Sequence, residues 1–150
     1  MKYFIFAIGL MWSTAIMAAD NITGLWTTID DETKEPKSVV QIYEYDGKIY
    51  GRVMKLFNNV DKTAVGIKDN PKIVGLDIIW DLEDCGDKFK GGKILDPAKG
   101  KIYASEAWIE NGKLILRGKI GPFGRNQIWI KNNDLSLKNE NLTPIIPEKE

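Results

Sequence analysis

Between Gly24 and Lys131 apolar and polar residues alternate over short stretches, and helical spacing is never sustained. The stretches are rich in Val, Ile, Tyr, Thr and Trp. Turn chemistry separates them at Asp46-Gly47, Asp96-Pro97, Asn111-Gly112 and Gly121-Pro122. Evenly spaced short strands with Gly-containing turns predict an all-β antiparallel meander, closed as a barrel or stacked as a sandwich. Asn58 to Pro71 reads as a polar loop, and residues 132–150, with Pro144 and Pro147, as an appended carboxy-terminal arm.

Two turns set the register. Asn111-Gly112 suits a type I′ hairpin, which needs positive φ at both central positions. It places Glu110 opposite Lys113, Trp108 opposite Ile115 and Glu106 opposite Arg117. Opposite charges facing each other, worth about 0.2 to 1 kcal/mol a pair, mark that side as the outside. Tyr103, Ser105, Ala107 and Ile109, against Leu114, Leu116, Gly118 and Ile120, then face the core. Asp46-Gly47 likewise brings Ile42 opposite Gly51 and Val40 opposite Val53 on an inward face, with Tyr43–Tyr50 and Gln41–Arg52 on the reverse. Gly51 and Gly118 fit strand bending and close approach inside a closed sheet.

Carried through a four-residue turn, Gly121 to Gly124, the register pairs Ile120 with Arg125, Gly118 with Gln127 and Leu116 with Trp129. Arg125 and Gln127 then enter the interior beside an indole, where a charge is costly unless satisfied. They either make structural hydrogen bonds closing one barrel end or contact a ligand's polar group. On the outside, Trp108, Ile115 and Ile130 form an apolar row that needs a cover. The candidates are Leu135, Leu137, Ile145 and Ile146 of the arm, or a second subunit.

Composition narrows the function. The chain has no His and one Cys, Cys85, which excludes Ser-His and Cys-His nucleophile pairs, imidazole or thiolate zinc sites and an internal disulfide. An enzyme would have to work with Asp77, Asp96, Tyr103 and Arg125, which form no tight motif, and the expectation is a protein without catalytic activity or cofactor. The acidic run Asp30-Asp31-Glu32 reads as a solvated turn. Lys and Arg balance Asp and Glu, 21 against 21, so there is no nucleic-acid footprint. Lys2 precedes an uncharged apolar run closing on Met17-Ala18-Ala19, the pattern of a secretory signal peptide over residues 1–19. Cleavage there would leave a soluble barrel domain over 20–131 and the arm over 132–150, with no stable membrane insertion.

Gly24-Leu25-Trp26 on the first strand and Arg125 on the last resemble lipocalins and other calycins, whose G-x-W tryptophan packs across the barrel base against an arginine from the closing strand. A longer succession includes Asp46-Gly47-Lys48-Ile49-Tyr50-Gly51, Gly75-Leu76, Gly91 to Pro97, Gly100-Lys101-Ile102-Tyr103, Arg117-Gly118 and Gly124 to Trp129. It resembles the bacterial exported proteins of domain-of-unknown-function family 2147. The resemblance implies a lipocalin-like up-and-down barrel of about eight strands, in the periplasm of a Gram-negative bacterium or secreted, with no established reaction. It also implies contact between Trp26 and Arg125. Members often carry a Cys pair in the loop that here spans Asn58 to Pro71, and this chain has none there.

A barrel of this size has room for side chains or one small ligand. Trp26, Ile42, Val53, Tyr103, Leu116 and Trp129, with Arg125 and Gln127 as the polar groups, would line a site for a small hydrophobic or amphipathic molecule. The alternative is a filled barrel acting as an envelope interaction protein, with Trp108, Ile115 and Ile130 as its interface in a homodimer.

Overall fold

The computed structural model describes residues 19–150, so the expected leader lies outside the described residues except for Ala19. Eight strands form one closed antiparallel barrel in chain order. They are β1 (Gly24–Ile29), β2 (Pro36–Tyr45), β3 (Lys48–Leu56), β4 (Asp77–Asp84), β5 (Phe89–Asp96), β6 (Lys101–Glu110), β7 (Lys113–Ile120) and β8 (Phe123–Lys131). Asp46, Gly47, Asn111 and Gly112 all take positive φ, the type I′ requirement. Both hairpins accordingly show the expected pairings, including Ile42↔Gly51, Gln41↔Arg52, Trp108↔Ile115 and Ser105↔Gly118.

The β7–β8 register departs from expectation. Gly121 has φ +56° and Pro122 follows it, the order of a two-residue type II′ turn, so the loop is two residues shorter than the four expected. Ile120 pairs with Phe123, Gly118 with Arg125, Leu116 with Gln127 and Leu114 with Trp129. A slip of two residues preserves the face of every side chain but moves each along the barrel. Arg125 therefore reaches the rim, where it is exposed and pairs with Asp31 of the β1–β2 turn at 2.7 Å. Trp26 pairs with Lys131, six residues further along β8, about 20 Å at the usual strand rise. The expected Trp26–Arg125 contact is thus replaced. Trp26 is buried at the base and donates its indole N–H to the Ile22 carbonyl at 2.9 Å.

The β1–β2, β3–β4, β5–β6 and β7–β8 connections share one end of the barrel, the mouth. Inside the barrel Val40, Ile42, Val53, Ile79, Leu82, Leu114, Leu116 and Trp129 are at most 2% exposed, so that part of the lumen is packed solid. The long β3–β4 connection is more than a polar loop. It buries Ala64, Ile67, Ile73 and Leu76, and Val65 donates to the Pro97 carbonyl of the β5–β6 turn. Closure between the chain's two ends is short, through Trp26↔Lys131 and Thr27↔Ile130 alone.

The outer apolar row also differs. Ile115 faces Ile128 rather than Ile130, and Ile130 faces Thr27. The arm does not cover this row: it crosses β2, β3 and β4, while Leu135, Ile145 and Ile146 are exposed. Lys88 lies over the Trp108 ring instead, 5.2 Å from its centroid. Lys119 and Lys88 bracket Glu106 at 2.7 and 2.9 Å. Their hydrogen bonds, Lys119's first, hold its carboxyl at about 2, below the usual 4.5. A carboxyl lowered on folding contributes stability that is complete above pH 4.5 and lost as pH falls through 2. Glu106→Gln should flatten the acid limb of stability between those values, as read by urea unfolding at a series of pH values.

Candidate ligand site at the barrel mouth

Strand pairing sets four inward positions side by side: Gly92↔Ser105, Ser105↔Gly118 and Gly118↔Arg125. Two of the four lack side chains. With strands about 4.8 Å apart, the Ser105 and Arg125 backbones stand about 10 Å apart across the bare Gly118. A Cβ on Gly118 would lie 3.5 Å from Tyr103 and 3.7 Å from Ile94, so a methyl would fit. At Gly92 it would lie 2.5 Å from the Trp80 carbonyl oxygen. Gly92 is thus closed by β4, and the gap in the row, a missing side chain with Tyr103 and Ile94 at ordinary contact distance, is at Gly118.

Ser105 is 1% exposed, and its hydroxyl is a buried polar group without a hydrogen-bond partner. An unpaired buried hydroxyl is costly. Its neighbours in the row carry no side chain that could pair with it. On the mouth side lie Ile94, Tyr103, Ile120 and Phe123, with Ile120 60% and Phe123 79% exposed although both point inward. The β7–β8 tip therefore extends past the packed lumen, with Ile120 and Phe123 on the face that continues the barrel's inner side. On the base side lie Ala107, Leu116 and Gln127. Gln127 accepts the Trp129 indole N–H at 3.1 Å, which links the floor of the site to a buried chromophore.

The eight residues expected to line a ligand divide. Around Gly118, Tyr103 and Arg125 stand toward the mouth and Gln127 forms the floor. Trp26, Ile42, Val53, Leu116 and Trp129 are buried in the packed lumen. Of the groups an enzyme could have used, Asp96 caps its own turn by accepting from Ala98 N–H, and Asp77 is buried on the outer side of the sheet, so neither joins Tyr103 and Arg125. Ser105 was legible only as a core-side position. The signal that could have marked it was its place opposite Gly118, a hydroxyl facing a missing side chain.

A second polar cluster lies on the outward face of β2–β4. Arg52 pairs with Asp77 at 3.1 Å, and the Tyr43 hydroxyl donates to the same carboxylate at 2.9 Å. Burial, reinforced by that carboxylate, pushes the Tyr43 phenol above its usual range. The arm covers this cluster.

A family model described as an uncharacterized protein conserved in bacteria (DUF2147) matches residues 24–131, the span from the first residue of β1 to the last of β8. Among solved structures the chain is similar to protein HP1028 from the human pathogen Helicobacter pylori, which belongs to the lipocalin family. The two are 25% identical with a TM-score of 0.67, over 81% of this chain and 93% of that one. No curated protein matches the chain.

Proposed function

Because the chain belongs to the bacterial DUF2147 family and folds as a lipocalin-like barrel, we propose that it is an exported binding protein for a small amphipathic molecule, held at the mouth of the barrel. The observation that carries this reading is the orphaned Ser105 hydroxyl facing the Gly118 gap. A ligand's polar group placed there would accept or donate the missing hydrogen bond, with Arg125 and Gln127 in reach of the same end. Its apolar part would lie against Tyr103, Ile94, Ile120 and Phe123, and the packed base would limit how deep it enters. The leader pattern supports the periplasm, or the medium beyond it, as the compartment.

Titration with a fluorescent fatty acid tests the reading. Saturable binding should change tryptophan emission, and Trp129→Phe should remove much of that change. Ser105→Ala should weaken binding by about three- to tenfold, the value of one net hydrogen bond. The empty protein should gain stability of about 1 kcal/mol, because an unpaired hydroxyl has been removed from the interior. The absence of a saturable signal with every acyl, sterol and aromatic probe, or a Ser105→Ala variant that binds as well as its parent, would sink the proposal.

A further inference from the structure

The β7–β8 hairpin ends unlike the other tight hairpins of the barrel. Glu110 and Lys113 flank the Asn111-Gly112 turn, whereas Ile120 and Phe123 flank Gly121-Pro122. Every residue from Ile120 to Asn126 is exposed. Phe123, at 79%, and Ile120, at 60%, face each other across the turn with Pro122 between them. Charged residues at a hairpin tip stay hydrated, but a Phe and an Ile held there forgo the burial that stabilises such side chains elsewhere. An apolar apex of this kind is the exposure that asks for a reason.

Behind the apex the side chains are basic. Residues 117–125 hold Arg117, Lys119 and Arg125 and no carboxylate. Glu106 stands opposite Arg117 but is taken by Lys88 and Lys119. The Arg117 guanidinium instead lies across Gly124, toward the tip, and donates to the Asn126 side chain at 2.9 Å. Among the described residues Arg117, Lys93, Lys99 and Lys101 make no ion pair. Lys93 shares the strand row of Lys119 and Gly124, and Lys99 and Lys101 lie at the β5–β6 turn of the same barrel end. The acidic run Asp30-Asp31-Glu32 lies on the β1–β2 turn, where Asp31 meets Arg125. Positive charge thus holds the β6–β8 side of the rim, and negative charge the β1–β2 side.

We propose that this hairpin tip docks the barrel on an anionic lipid surface, with Ile120, Pro122 and Phe123 entering the outer part of the acyl layer and the cations behind them lying on the headgroups. An apolar wedge with basic residues one strand row back matches the layering of such a surface, apolar beneath and negatively charged above. The shape favours a bilayer over a protein. A stable protein interface buries roughly 1,200 to 2,000 Å² between fitted surfaces, which a projecting two-residue turn with three apolar side chains cannot supply. A bilayer closes around a narrow wedge without a preformed pocket. So small an apex gives a peripheral, reversible contact, and it sets the barrel mouth toward the lipid. The inference is independent of a ligand at the mouth.

The test uses the chain from Asp20 onward, which carries the whole barrel and arm, so that the apolar leader adds no binding of its own. It should float with vesicles of phosphatidylglycerol and phosphatidylethanolamine at low salt, and bind vesicles of phosphatidylcholine alone at least about tenfold more weakly. Salt at about 0.5 M should release it. Ile120→Ser with Phe123→Ser should weaken binding at least about tenfold, and Lys93→Gln with Arg117→Gln by about as much, with thermal unfolding close to the parent's in both. In Phe123→Trp the added emission should shift to the blue on anionic vesicles and be quenched by brominated acyl chains. The proposal is overturned if the folded protein ignores anionic vesicles, or binds them equally well without the two apolar side chains. An added indole that stays in water while the protein binds would overturn it too, as would a photocrosslink from position 123 to a partner protein in place of lipid.

Discussion

Asp77→Ala should lower the stability of the barrel by about 3 to 5 kcal/mol, the cost of leaving a buried charge without its partner. Arg52 is 8% exposed, and Asp77 is fully buried. Besides pairing with Arg52, that carboxylate accepts from Tyr43 and from the Ile145 N–H. Its removal therefore strands a guanidinium, a phenol and a main-chain donor together. Denaturant unfolding would measure the loss, and limited proteolysis should show the arm cut first after Pro144. The double variant Arg52→Met, Asp77→Leu should recover much of the stability, since apolar replacement of a whole buried pair is often neutral or better. A single variant as stable as its parent would mean that water already reaches the pair.

Gly118→Ile should abolish most ligand binding while leaving the fold in place. Gly118 has ordinary strand backbone, and a Cβ there meets nothing closer than 3.5 Å, so the substitution is not strained at its first atom. The branches beyond Cβ project into the gap between Ser105 and Arg125, where the ligand's polar end is proposed to lie. Overpacking of about 1 to 3 kcal/mol corresponds to roughly a five- to 150-fold loss of affinity. Gly118→Ala should bind nearly as well as the parent. Gly92→Ala makes the contrast, because its Cβ would meet the Trp80 carbonyl and Leu82 and should cost stability rather than affinity. Isothermal titration with a fatty acid, beside thermal unfolding of each variant, separates the two effects.

The barrel was legible because its turns announce themselves. Asn111-Gly112 and Asp46-Gly47 permit few backbone geometries, so pairings such as Ala107↔Leu116 and Val40↔Val53 follow by counting. Gly121-Pro122 was harder, since Gly-Pro-Phe-Gly fits either a four-residue loop or a tight turn ahead of Phe123. The choice moved Arg125 from the interior to the rim and Ile128 into the place expected for Ile130. The arm's seat was illegible for a different reason. Its hydrogen bonds to Gln41, Arg52 and Asp77 come from main-chain groups of the arm, which leave no mark in a sequence, and the Gln41–Arg52 pair was legible only as facing away from the core. Within the site, alternation found Tyr103, Arg125 and Gln127. What it could not give was depth along the barrel, which decides whether an inward side chain fills the base or stands at the mouth.

The short β1–β8 closure has a kinetic consequence. Every other strand pairing joins neighbours in the chain, and all of these but β3–β4, with its long connection, need only short loops to close. Thr27 and Asn132, which meet beside the closure, are 105 positions apart. Pairings this distant are slow to form, because a long loop must be ordered before any contact rewards it. The expected order of folding is an open curled sheet first and the ring last, with β1 and β8 as free edges in between. Free edges invite pairing with other chains, so the interval before ring closure is when a newly made molecule is most exposed to aggregation.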